Sequence, residues 1–118
     1  MHRVVVDTNV AVSALLTPTG NAARIINMIT DEKLQSCYNA EILGEYVEVL
    51  LRPRFSFSVE DQDDFIASVK QFGLLINPKK SGIPFIDETD RVFYDVAKSC
   101  EADLITGNIN TSHLLKTR

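Results

Sequence analysis

The period of the hydrophobic positions changes repeatedly along this chain, and each change marks an element. Arg3-Val4-Val5-Val6-Asp7 is a short β-branched run ending in a charge, the pattern of a strand buried on both faces of a parallel sheet. Asp7 therefore stands at the strand's carboxyl end. Val10, Val12, Leu15 and Leu16 follow as a short helical stretch closed by Pro18 and Gly20, and Asn21 is expected to cap a second helix running through Ile29. Leu34 to Tyr38 read as the second strand. Asn39 is placed to cap a helix reaching to about Arg52, just before Pro53. Ile42, Leu43, Tyr46, Val47, Val49 and Leu50 form its apolar side, with Glu41, Glu45, Glu48 and Arg52 opposite.

Ser58 followed by Asp61 resembles an acidic variant of the capping box, opening a helix with Phe65, Ile66, Val69 and Phe72 inward and Gly73 as its stop. Leu74 to Ile76 make a third strand. The stretch from Asn77 to Pro84 holds two prolines, a glycine and two lysines and is a loop. It leads into Asp87-Glu88-Thr89-Asp90 at a helix start, with Val92, Phe93, Val96 and Ala97 facing the core. Asp103 to Thr106 form a fourth strand, after which Gly107-Asn108 turns the chain into a final short segment. Alternation of strand and helix throughout predicts a single domain over residues 1–118, an α/β fold built as a three-layer α/β/α sandwich around a mainly parallel sheet.

Composition narrows the class without changing this picture. The 118 residues are 45% hydrophobic and 24% charged, enough apolar material for one core and not for a second domain. The first residues lack the apolar stretch of a signal peptide, and no run approaches the ~20 residues needed to cross a bilayer, so a cytoplasmic protein without a membrane partner is expected. Cys37 and Cys100 belong to no Cys-x-x-Cys pair and read as buried structural thiols. A net charge of -4 excludes a protein that coats nucleic acid by bulk electrostatics. It leaves room for a nuclease whose acidic excess gathers around divalent cations, because bound cations invert the local sign.

Ligands of open parallel sheets bind beyond the carboxyl ends of the strands. Asp7 lies there after the first strand, Asp87 and Asp90 begin the helix before the fourth strand, and Thr106-Gly107-Asn108 follow the fourth strand itself. Glu45 can join from the exposed side of the Asn39 helix. Gathered carboxylates repel one another unless a cation compensates, and hard oxygen ligands suit Mg²⁺ or Mn²⁺ rather than zinc. Hydrolysis of a phosphodiester fits such a site. Each residue also has a structural reading: Asp7 as the cap of the next helix, Glu45 and Glu48 as a solvated face, Asp87, Glu88 and Asp90 as complements to a helix dipole, and Asn108 as a turn residue.

In combination, the segments Val4-Val5-Val6-Asp7-Thr8-Asn9, Ile42-Leu43-Gly44-Glu45-Tyr46-Val47-Glu48-Val49-Leu50, Asp87-Glu88-Thr89-Asp90-Arg91-Val92-Phe93-Tyr94-Asp95-Val96-Ala97 and Leu104-Ile105-Thr106-Gly107-Asn108 resemble a PIN domain. This is the fold of many small ribonucleases, including toxins of toxin–antitoxin pairs. The resemblance implies an Mg²⁺- or Mn²⁺-dependent endoribonuclease in which Asp7, Glu45 and Asp90 are catalytic and hold metal. Counting back from the fourth strand through one helix favours Asp90 over Asp87, which becomes a helper carboxylate. Thr8, Asn9 and Thr106 would orient ligands or water. The fourth metal position, often Asp in the family, is Asn108 here, which weakens the expectation of a second metal. The resemblance also implies an RNA substrate, a homodimer and an antitoxin that obstructs the acidic pocket. Many relatives continue into a last edge strand, which here is short, missing or supplied by a neighbour.

Two other readings compete. An aspartyl phosphotransferase or receiver domain also places an acceptor Asp after a buried strand, but Asn9 occupies the position where many such phosphatases need a second Asp, and Met1-His2-Arg3 offers no acidic pair. A catalytically weak or inactive PIN domain, serving as an RNA- or protein-binding module, is the alternative that Asn108 and the early chain end motivate. Arg24, Arg52, Arg54, Lys79, Lys80 and Arg91 are candidate backbone contacts for RNA, and the sequence offers no evident aromatic ladder for base stacking.

Overall fold

Val4, Val5 and Val6 are almost wholly buried, as a strand covered on both faces must be. In the computed structural model, which describes residues 1–79, 82, 87–106 and 114–116, they belong to β1 (His2–Val6), the middle strand of the sheet. The chain then forms α1 (Thr8–Leu16), α2 (Asn21–Thr30), β2 (Leu34–Tyr38), α3 (Ala40–Leu50), a 3₁₀ turn (Pro53–Phe55) and α4 (Val59–Phe72). β3 (Leu74–Leu75), α5 (Glu88–Cys100), β4 (Asp103–Ile105) and β5 (Leu114–Lys116) complete the order.

The sheet runs β3-β2-β1-β4-β5. β1 pairs in parallel with β2 on one side (Val4 opposite Ser36) and with β4 on the other (Val6 opposite Ile105), and only β5 is antiparallel, against β4. The chain thus winds outward from β1 to β3, then returns to the far side of β1 as β4. The winding direction switches between β1 and β4, where the carboxyl ends of two adjacent strands leave a crevice. Alternation along β1 feeds two cores. Val5 packs with Ile42, Tyr46, Phe93 and Val96 on one face, while Val4 and Val6 pack with Val10, Ala14, Ala22, Ala23 and Ile29 on the other. The three-layer α/β/α sandwich with a mainly parallel sheet is the observed fold. Among the described residues no helix is long and apolar enough to cross a membrane.

Local signals held where the side chain itself makes the bond. Asn39 accepts from the Ile42 amide at 2.8 Å, and Ser58 accepts from the Asp61 amide at 3.0 Å. Asn21, in contrast, is not a cap. The amide of Gly20 closes a turn onto the Thr17 carbonyl and the Gly20 carbonyl accepts from Arg24, so α2 begins one residue earlier and Gly20 takes the cap position. α3 ends at Leu50 rather than near Arg52, because Pro53 starts its own 3₁₀ turn. Val47, expected on the apolar side, is 39% exposed. The short edge strand left open by the sequence is β5, supplied by this chain.

Both cysteines are buried and free, and burial together with the neighbouring Cys100 thiol pushes the Cys37 thiol up to about 12. At the amino end of the sheet, the buried Asp103 carboxylate is satisfied by His2 at 2.6 Å, so not every strand-associated Asp is available for chemistry. Gly73 is dictated by contact. A Cβ there would lie 2.4 Å from the Val69 carbonyl oxygen and 2.8 Å from the Tyr38 ring. Gly73→Ala is expected to lower the free energy of unfolding by about 1–3 kcal/mol, the usual range for overpacking, as read from urea denaturation midpoints.

Candidate active site

Asp7 occupies the cap position of α1, yet its side chain makes no capping bond to that helix. Extended backbone (φ -63°, ψ 149°) and a main-chain bond from its amide to the Ile105 carbonyl at 3.0 Å fix it at the junction of β1 and β4, beside Thr106. The structural reading of Asp7 as a helix cap therefore fails. Its backbone is held at the crevice by the sheet, and its side chain does not cap the helix.

Glu45 reaches the same place from α3 because of the residue next to it. The buried Tyr46 hydroxyl donates to the Val6 carbonyl at 2.5 Å, drawing α3 onto the last residue of β1. The Tyr46 ring meets Phe65 of α4 edge-on at 5.7 Å and Phe93 of α5 at 6.4 Å, so three helices fix its position. Glu45, half-buried as a result, holds its proton above the usual carboxylate range. Burial contributes most, followed by the charges of Asp7, Glu48 and Asp87, while the Thr8 hydroxyl acts the other way by favouring the charged form. That hydroxyl is buried and makes no well-formed hydrogen bond, so it leans toward Glu45 without being satisfied by it.

Asp7, Glu45, Glu48 and Asp87 thus share one field. Asp90, preferred over Asp87 from the sequence, is exposed on the first turn of α5, and its charge is not among those that raise Glu45. Asn9 is exposed on α1 and Thr106 is half-buried directly after β4. Asn108 lies outside the described residues, as does Lys80. Among the described residues, no three carboxylate, His or Cys side chains close on a point where one ion would touch them all.

Two clefts flank this field. One of about 340 Å³ lies between α3 and α5 and is lined by Glu41, Gly44, Glu45, Glu48, Glu88 and Val92. A neighbouring cleft of about 320 Å³ shares Glu41, Glu88 and Val92 and adds Asn39, Asn77, Pro78 and Asp95. Gly44 is informative here: inside a helix it costs about 1 kcal/mol relative to Ala, yet no atom lies within 4 Å of where its Cβ would be. Its effect is to leave the cleft wall open beside Glu45. Sequence reasoning missed Asp95, a buried carboxylate on α5. The available signal was a charge set between Val92 and Val96 on an inward helix face.

The donors are chemically suited to a hard divalent cation. Mg²⁺ is commonly held by one or two carboxylates together with water and substrate phosphate oxygens, so a closed cage of three is not required. The acidic neighbours that add to burial in raising Glu45, and the unsatisfied Thr8 hydroxyl, are both features that a cation with its hydration shell would relieve. Tyr46→Phe keeps the ring and removes the hydroxyl. It is expected to cost about 1–2 kcal/mol of stability by denaturant titration, with the aromatic packing against Phe65 and Phe93 retained in the near-ultraviolet spectrum.

Comparison with known proteins agrees with this architecture. Residues 3–110 match the family model described as PIN domain. An uncharacterized protein of Methanocaldococcus jannaschii is 31% identical over 109 residues, covering 90% of this chain and 70% of that protein. No solved structure matches. With a carboxylate held at the β1–β4 switch and a family match spanning nearly the whole sheet, the chain belongs to the PIN domain family, whose members are generally nucleases.

Proposed function

We propose that this protein is a metal-dependent endoribonuclease that hydrolyses RNA phosphodiester bonds in the cytoplasm, using Mg²⁺ or Mn²⁺. The observation that carries the proposal is the gathering of Asp7, Glu48 and Asp87 around half-buried Glu45 at the sheet's switch point, where burial and then these charges raise the Glu45 carboxyl above the usual carboxylate range. Asp7, Glu45 and a carboxylate from the start of α5 would hold the cation, with Asn108 as the fourth position and Thr8, Asn9 and Thr106 orienting ligands or water. Asp90 fills the α5 role by its place in the motif, whereas the field on Glu45 speaks for Asp87.

When bound, a divalent cation supplies Lewis-acid stabilisation of the charge that builds on a phosphodiester under attack. The chain's own residues do the rest. The Asp7 backbone is fixed between β1 and β4, which sets where its side chain enters the site. Glu45, whose carboxyl is raised by burial and by its acidic neighbours, would be one of the residues to hold the cation, and positive charge there would favour its ionised form. Gly44 leaves room for the substrate backbone beside it.

The role of toxin in a toxin–antitoxin pair, with an antitoxin and a second copy of the chain as partners, extends the same proposal. Leu16 on α1 and Met28 on α2, 54% and 40% exposed, support a docking surface on the early helices. A second reading, a PIN domain that binds RNA or protein without cutting, is favoured by one fact: no three potential ligands among the described residues converge on one ion position.

Incubation of purified protein with RNA and Mg²⁺ or Mn²⁺ separates these readings. Wild type is expected to cleave, with Asp7→Asn and Glu45→Gln each reducing the rate by 100-fold or more, on the order of 3 kcal/mol of transition-state stabilisation. Asp87→Asn and Asp90→Asn, compared under identical conditions, identify the α5 ligand by the larger loss. Equal cleavage by wild type and Asp7→Asn would contradict the assignment, and binding without cleavage under either metal would support the binding module.

A further inference from the structure

A polyanion cannot be held by a wall of glutamates, so an RNA-cutting site on this surface needs cations beside it. The α3 wall of the acidic cleft provides them at its carboxyl end. Glu48 lines the cleft and pairs with Arg52 one helical turn on, at 3.8 Å. Arg52 is about half exposed, and an exposed pair of this kind is weak enough to exchange its carboxylate for a phosphate. Arg52 stands two residues beyond the last residue of α3, in extended backbone that leads into the 3₁₀ turn.

Beyond Arg52 the 3₁₀ turn arranges a layered surface. The Arg54 guanidinium lies over the Phe55 ring, 4.8 Å from its centroid, and Phe55 stacks on Phe57 at 5.5 Å and 15°. The sequence offered no evident aromatic ladder; the pairing of Phe55 with Phe57 is set by the fold. Both rings do pack partly against the core, which accounts for their inner faces. Core packing does not account for the two exposed arginines or for Ser56, a non-glycine residue in the left-handed region at φ 51°. That backbone is held by the Ser56 hydroxyl donating to the Pro53 carbonyl at 3.2 Å and by the Gln62 amide donating to the Phe57 carbonyl at 2.9 Å.

We propose that Arg52, Arg54 and Phe55 form a seat for single-stranded RNA flanking the cleavage position, the arginines taking phosphates and the Arg54–Phe55 layer taking a base. The inference rests on the ribonuclease reading above and extends it to how the substrate is held. Arginine planes and aromatic rings are what single-strand binders use, since every base has a stacking face and bases in a duplex do not present theirs. Arg52 and Arg54 are positioning residues for the strand and take no part in bond cleavage.

The test is binding of a fluorescent oligouridylate by anisotropy across a salt series in EDTA, with cleavage kinetics in Mg²⁺ or Mn²⁺ alongside. Arg52→Gln/Arg54→Gln is expected to weaken binding about tenfold or more and to flatten the salt slope by about 1.4, at about 0.7 per phosphate contact on a single strand. KM should rise with kcat retained. Phe55→Leu keeps the apolar packing and is expected to lose about fivefold or more in affinity for the single strand, with the salt slope unchanged. Arg54→Lys should keep the slope and lose affinity. Unchanged affinity and slope in Arg52→Gln/Arg54→Gln, while wild type binds and cleaves, would overturn the seat and leave the ribonuclease reading standing. Equal losses on blunt duplex RNA would overturn the stacking role. Failure of wild type both to bind and to cleave RNA would overturn the ribonuclease reading and the seat with it.

Discussion

The site depends on one buried hydrogen bond, from the Tyr46 hydroxyl of α3 to the Val6 carbonyl of β1. A tyrosine hydroxyl in a core must find an acceptor, and this one finds it in the residue immediately before Asp7. Because helix geometry is stiff, fixing Tyr46 fixes Glu45, and two carboxylates separated by nearly forty positions in the chain are brought into one field. The contacts of the ring with Phe65 and Phe93 pull α4 and α5 into the same arrangement. Carboxylate repulsion is thereby imposed by apolar packing, whose driving force is far larger than the repulsion it overcomes.

The two buried or half-buried aspartates at strand termini show how environment decides use. Asp103 begins β4 at the amino end of the sheet, is almost fully buried and is met by His2. Asp7 follows β1 at the carboxyl end, where the winding reverses. Similar chemistry at opposite ends of neighbouring strands gives a structural contact in one case and a member of the acidic site in the other. The same contrast runs along α3, where glutamates facing the cleft give way to Arg52 once the helix has passed it.

Much of this was legible in the sequence where a local rule governs. The mainly parallel three-layer sandwich followed from the alternation of strand and helix, and the caps at Asn39 and Ser58 followed from residue type alone. Asp7 was placed at the strand end by the Val4-Val5-Val6 run. What could not be read was anything set by tertiary contact. The Tyr46 bond, the buried Asp95 and the charge of Asp87 on Glu45 depend on which helix faces lie together, and the Arg54-Phe55-Phe57 layer depends on a left-handed Ser56 that no propensity indicates. Gly20 displaced Asn21 as a cap because a preceding turn, formed through Thr17, set the helix start.

Asp7, Glu45, Glu48 and Asp87 form one electrostatic unit, which a bound divalent cation would relieve. A group whose proton is held more tightly in the folded chain than in the unfolded one makes stability fall as pH rises from the unfolded carboxylate value through the folded one. The most direct measurement is the titration of the Glu45 side-chain carboxyl by carbon-13 NMR in wild type and in Asp7→Asn, with and without Mg²⁺. The account predicts a wild-type midpoint above that of an ordinary glutamate, lowered by Asp7→Asn and lowered again by Mg²⁺ in the wild type. An ordinary midpoint, indifferent to both the substitution and the metal, would contradict it.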